Sequence, residues 1–369
     1  MTQYPVSAIM LRDPSLLVGA LIAEGWRVIG PKLDQNAIVY DQLTNGDDLP
    51  RGLTDEQEAG HYRMVPGRDG RWFDYVVGPQ SWKKWLFPAR QKLWSATRRD
   101  DGFDIEAQAT DWPKTAFIGV RACEIAAMAV QDRVFDNGSF ADSAYAVRRR
   151  DTLIVAVQCA RSGATCFCAS METGPRASAG FDIALTELDD GLFADSGSDR
   201  GAAILARLNA HPAQPRQRQE AQEVSARAAA MQVRRMPANA PEVLRAQPDH
   251  PQWDEVANRC LSCGNCTLAC PTCFCTDVED VTDLSGNHAE RWRSWDSCFS
   301  VDFTYVHGGS VRRSVKSRYR QWMTHKLSSW VDQFGTSGCV GCGRCITWCP
   351  VGIDITKEVA AIAASGSEG

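Results

Sequence analysis

Two runs of the chain, CLSCGNCTLACP at residues 260–271 and CVGCGRCITWCP at 339–350, share the spacing C-x2-C-x2-C-x3-C-P. No other feature constrains the fold as strongly, because they take up eight of the fifteen cysteines. Three thiolates at three-residue spacing let one backbone loop wrap an inorganic cube and reach three of its irons. The fourth cysteine, followed by proline, points away as the chain turns, and in two-cluster ferredoxins it ligates the other cluster. The spacing therefore assigns Cys260, Cys263, Cys266 and Cys349 to one [4Fe–4S] cluster. It assigns Cys339, Cys342, Cys345 and Cys270 to a second. Glycines in SCGNC and GCGRC let backbone N–H groups approach the sulfides, which tunes the reduction potential. Structural zinc is the alternative. It pairs two cysteines with two elsewhere and needs no x3-Cys-Pro ending, so iron–sulfur is the reading adopted. The 68 residues between Cys270 and Cys339 are too many for a compact ferredoxin. A mostly helical, ferredoxin-like dicluster domain with an insertion is expected.

At 369 residues the chain has room for two domains and a sizeable core. A net charge of −5 gives no general reason to expect nucleic-acid binding. No apolar run approaches the ~20 residues needed to span a bilayer, so direct membrane insertion is not expected. The start, MTQYPVSAIMLRD, lacks the basic-then-apolar order of a secretory signal. A cytoplasmic protein is expected, and in that reducing compartment many cysteines point to metal ligation rather than disulfides.

Residues 1–210 read as a mixed α/β domain. DPSLLVGALIAEG predicts a helix with Asp13 as N-cap, Pro14 at its first position and Gly25 as its stop. WRVIG, AIVYDQL, TAFIGV, TLIVAV and FDIALTEL predict strands, and RGAAILARLNA predicts a closing helix. Residues 211–250 hold few large apolar side chains and several prolines, which predicts a surface linker with a helix in its middle. Residues 251–369 turn to cysteine, tryptophan and short helical patterns, with QWDEVANRC before the first run and DITKEVAAIAAS after the second.

Seven cysteines remain. Cys123 follows a predicted strand, Cys159 ends another, and Cys166 and Cys168 follow in ATCFCAS. Ends of strands are where open α/β sheets place ligands, so these four form a candidate third [4Fe–4S] site; the alternative is free thiols packed as small core residues. The spacing of Cys159 and Cys166, with six residues between, misses the C-x5-C of sirohaem-binding sulfite reductases. Cys273, Cys275 and Cys298 lie near Asp277 and Asp296 and read mainly as packing beside the clusters, with a further metal centre as the alternative. Trp292, Trp295, Trp322, Trp330 and Trp348 are expected to keep water away from the cubes. The basic stretch 311–326, with Arg312, Arg313, Lys316, Arg318, Arg320 and Lys326, reads as a solvated helical face, or as a docking surface or charge compensation for the clusters.

No G-x-G-x-x-G follows a strand, and no G-x-x-x-x-G-K-[ST], G-x-S-x-G or H-E-x-x-H occurs. A chain with a relay and no recognisable redox terminus is expected to pass electrons between partners, with no catalytic residues of its own. A redox sensor would bring a nucleic-acid-binding module, and no basic helix-turn-helix pattern is present. A self-contained flavin reductase is the other alternative.

RWFDYVVGPQSWKKWLFPARQKLW, GVRACEIAA, TCFCAS, FDIALTEL, CPTCFC, ERWRSWDSC and GCVGCGRCITWCPVGIDI, in this order, resemble the β subunit of cytoplasmic NAD(P)-linked nickel–iron sulfhydrogenases. That subunit is in turn similar to the iron–sulfur chain of anaerobic sulfite reductase. The resemblance covers about Asp13 to Thr356. It implies an iron–sulfur subunit between a flavin subunit that exchanges hydride with NAD(P)H and a nickel–iron hydrogenase module. The alternative it implies is the same role beside a sirohaem sulfite reductase subunit. It carries the cluster ligands onto the eight cysteines of the two runs.

Overall fold

The computed structural model describes residues 8–365 apart from Asp69 and Val77. Residues 1–7, which begin the stretch tested for a secretory signal, lie outside the described residues. In chain order the strands of the large sheet are β1 (Ile9–Leu11), β2 (Arg27–Asp34), β3 (Ala37–Gln42), β4 (Thr115–Val120), β5 (Thr152–Val157), β6 (Ile183–Leu188), β7 (Gly191–Ser196) and β8 (His211–Pro212). Their spatial order is β8-β1-β7-β6-β5-β4-β2-β3. The central pairs β6/β5, β5/β4 and β4/β2 are parallel, and the flanking pairs are antiparallel. Every residue of β4, β5 and β6 is buried, which is why these strands read as continuous apolar runs instead of alternating ones.

Alternation survives inside the sheet as a division between two cores. Leu153, Val155 and Val157 of β5 join Leu17, Val18 and Leu21 of the first helix, α1 (Ser15–Ala23), on one face. Ile154 and Ala156 turn to the other face, where they join Ile125 and Met128 of α2 (Ala122–Phe135). α2 carries the crossover from β4 toward β5. The crossover from β5 to β6, residues 158–182, has no helix or strand. At the start of α1, Asp13 Oδ1 accepts the Ser15 N–H at 2.8 Å, as expected of an N-terminal acid, while Pro14 occupies the capping position.

The hairpin Arg90–Arg99/Gly102–Ala107 and the hairpin Thr276–Thr282/His288–Trp295 together form a four-stranded antiparallel sheet. Sequence patterning missed both hairpins, because their strands are half-buried or exposed and carry no apolar run. The C-terminal part thus contains strands as well as helices. Residues 211–250, expected as a linker, hold two helices, Pro215–Ala230 and Ala240–Ala246. Ala221 and Val224 pack with Leu188 and Phe193 of the large sheet. Leu244 packs with Trp253, Trp322, Met323 and Val359 in the core that surrounds the cysteine runs. Among the described residues no helix is long and apolar enough to cross a membrane.

Candidate metal centres

Both cysteine runs adopt one local fold. Gly264 (φ 76°) and Gly343 (φ 77°) each start a four-residue helix, Asn265–Leu268 and Arg344–Thr347, that carries the third cysteine. The two short helices pack together, and Asn265 Nδ2 donates to the Trp348 carbonyl at 3.3 Å. Cys260, Cys263, Cys266, Cys345 and Cys349 line one cavity, with Phe299, Tyr319, Trp322 and Ile353 as its apolar wall. Cys270, Cys339, Cys342 and Cys345 line a second, walled by Phe167, Trp322 and Val340. The first cavity thus takes three thiols from its own run and two from the other, and the second takes three from its own run and the last from the other. Cys345 lines both, so the cavities adjoin. Cys263 is exposed, whereas Cys270 and Cys339 are buried.

The donor set fits an iron–sulfur cluster. The first cavity offers five soft thiols and the second four, and backbone N–H groups of Ser262, Gly341 and Ile353 reach Cys260, Cys339 and Cys349 Sγ at 3.3–3.5 Å. Among the described residues no group of three or more His, Cys, Asp or Glu side chains is placed to hold a single metal ion. Burial pushes the Cys266 and Cys345 thiols well up, reinforced by neighbouring thiols. Cys339 is pushed up to about 12 by burial, against the pull of Lys326. Cys270 goes the other way: a hydrogen bond with Cys273, then the Lys326 charge, hold it well below its ordinary value. Loading these sites therefore releases protons from most of the thiols.

The remaining candidates form a third group behind the second cavity. Cys123 opens α2 after β4, Cys159 follows β5, and Cys166 and Cys168 lie in the 158–182 crossover. The structure brings them close enough for neighbouring thiols to act on one another: Cys123 and Cys166 are raised by burial first and by Cys168 second. Burial, then Cys159, pushes Cys168 up to about 12. Cys123 and Cys168 also pack against Val340 and Cys342 of the second run. That contact depends on two glycines. A Cβ on Gly341 would stand 2.7 Å from the Cys168 backbone, and one on Gly343 2.4 Å from the Thr165 carbonyl oxygen, both at positive φ. Gly343→Ala is expected to cost on the order of 1–3 kcal/mol through backbone strain alone, and more through that clash. Its lower denaturation midpoint checks the expectation.

Sequence reasoning missed the buried Arg344–Glu124 pair beside these thiols, and had charge compensation by Lys326 only as an alternative reading of 311–326. Arg344 and Glu124 form an ion pair of 2.6 Å with both side chains 1% exposed. Arg344 also donates to the Gly78 and Gln80 carbonyls at 3.0 and 2.9 Å. Glu124 Oε2 accepts from the Tyr40 hydroxyl, the Trp82 indole and the Arg121 N–H at 2.9–3.1 Å. The sole trace of this in the sequence is a basic residue inside GCGRC. The basic stretch 311–326 is not one solvated face. Arg318 and Lys326 are buried, and Arg318 donates to the carbonyls of Arg312 and Arg313. Cys275 and Cys298 hydrogen-bond to each other, which lowers Cys275 to about 7. Of the five tryptophans expected to shield the cubes, Trp322 lines both cavities and Trp330 is buried, whereas Trp292, Trp295 and Trp348 are half-buried and line neither.

Residues 259–353 match the family described as a 4Fe-4S dicluster domain. Over 250 residues, 66% of this chain and 72% of its relative, the sequence is 32% identical to sulfhydrogenase 2 subunit beta of Pyrococcus furiosus. The chain belongs to the sulfhydrogenase β-subunit family. It is an iron–sulfur protein of the electron-transfer type, with a ferredoxin-like 4Fe–4S domain behind an N-terminal mixed-sheet domain. No solved structure gives a significant match.

Proposed function

We propose that this chain passes electrons between a flavin subunit that exchanges hydride with NAD(P)H and a nickel–iron hydrogenase module, in the cytoplasm. The observation that carries the reading is the pair of adjoining thiol cavities, each completed by the other run. In this reading Cys260, Cys263, Cys266 and Cys349 hold one [4Fe–4S] cluster, and Cys339, Cys342, Cys345 and Cys270 hold another. Cys123, Cys159, Cys166 and Cys168 hold a third, packed against the second run. The N-terminal mixed-sheet part and the cysteine-run part are then joined both through the packed segment 211–250 and through the sheet that pairs Arg90–Arg99 with His288–Trp295.

When bound, a [4Fe–4S] cluster takes up or gives out single electrons. The chain's own residues hold, insulate and charge-balance. The apolar walls exclude water, which strengthens every charge interaction inside. Buried Lys326 offsets the negative charge of the thiolate cage beside it, which would otherwise be costly to bury. The exposed Cys263 marks the edge at which the first site is nearest solvent.

The test is anaerobic purification of the native complex, with metal analysis and a coupled assay. Nickel, H2-dependent NAD(P)+ reduction and about twelve iron atoms on this chain, three clusters of four, are expected. A sirohaem spectrum in place of nickel would overturn the hydrogenase assignment. About eight iron atoms would remove the third cluster alone.

A further inference from the structure

Lys326 lies in a single π-helical turn, His325–Ser329, between the helix Val315–Thr324 and the helix Trp330–Phe334. Such turns are rare and recur at functional sites. Its side chain is 4% exposed. Nζ stands 3.3 Å from Cys270 Sγ, 3.0 Å from Thr272 Oγ1 and 3.1 Å from the Gly338 carbonyl oxygen. An ammonium has three N–H donors and no acceptor, so each donor meets one acceptor and the group is fixed in place. Its backbone is fixed too, since the Lys326 carbonyl accepts the Gly338 N–H at 2.8 Å. Both ends of the residue are therefore clamped to the segment that leads into the second cysteine run. All three acceptors belong to the second cavity or border it.

We infer that Lys326 sets the reduction potential of the cluster that Cys270 helps to hold, raising it above the value the same cage would have without a cation. Reduction adds one negative charge to the cage, and a fixed positive charge hydrogen-bonded to a ligand sulfur favours that added charge. Two cages built on the same cysteine spacing thereby become unequal. Lys326 acts through Cys270, so it is a positioning residue. The inference rests on the cluster assignment proposed above.

The experiment is a redox titration of the full chain followed by electron spin resonance, with iron content measured in parallel, for the wild type, Lys326→Met and Lys326→Arg. Lys326→Met is expected to keep its iron. One cluster signal should titrate lower by at least a tenfold change in its reduced-to-oxidised ratio, 59 mV for a one-electron couple. The other signals should stay, and Lys326→Arg should return the shifted one toward its original position. Unmoved titrations in an iron-replete Lys326→Met chain, or equal movement of all of them, would overturn the inference and leave the cluster assignment intact. Should Lys326→Met lose iron, wild-type chain labelled with 15N-lysine decides. A lysine-nitrogen coupling on one reduced cluster is expected in pulsed spin resonance, and its absence overturns the inference. A wild-type chain without iron would overturn the assignment itself.

Discussion

The double variant Cys263→Ala with Cys349→Ala is expected to lose no more iron than either single variant, about four atoms per chain. Cys263→Ala with Cys270→Ala is expected to lose about eight. The reason is the swapped lining of the two cavities, which puts Cys263 and Cys349 in one and Cys270 in the other. Substitutions within one cooperative site are non-additive, whereas those in separate sites add. Iron and acid-labile sulfide analysis, with spin counting, reads the result. If the pair drawn from a single run, Cys263 and Cys270, behaves as one site instead, the cages are not interleaved.

Glu124→Ala should destabilise the chain by about 3–5 kcal/mol, because it leaves the Arg344 guanidinium buried without its partner. It also strips the acceptor from Tyr40 and Trp82. Arg344→Met should cost a similar amount by stranding the carboxylate. Combining Arg344→Met with Glu124→Leu is expected to recover part of the loss, since no charge then remains buried. Denaturant midpoints followed by tryptophan fluorescence check both. A cost below about 1 kcal/mol for Glu124→Ala, the range of an exposed ion pair, would show that water reaches this pair in solution.

Much of the fold could be read from residues whose surroundings are uniform. TAFIGV, TLIVAV and FDIALTEL are strands because both faces are buried, so continuous apolarity is their signature. The strand Arg90–Arg99 escaped because neither face is fully buried, and its pairing with His288–Trp295 joins residues far apart in the chain. The segment 211–250 looked like a connection because alanine does its packing there. Ala221, Ala228 and Ala240 are buried, and small side chains leave little apolar signal. At the candidate site, the eight thiols that cysteine spacing singled out line two adjoining cavities, Cys345 both of them. That spacing did not foretell the buried charges. Arg344 and Lys326 owe their burial to partners from other parts of the chain, Glu124 in one case and Cys270 with Gly338 in the other, and spacing within a run holds no information about those.

The exchange of thiols between the two runs has a consequence for biosynthesis. A ribosome that has just emitted residue 300 has made three of the five cysteines lining the first cavity and one of the four lining the second. Nascent domains generally fold as they emerge, but here the first cavity cannot close before residue 349 is made, nor the second before residue 345. With the ligands proposed above, cofactor insertion awaits nearly all of the described chain.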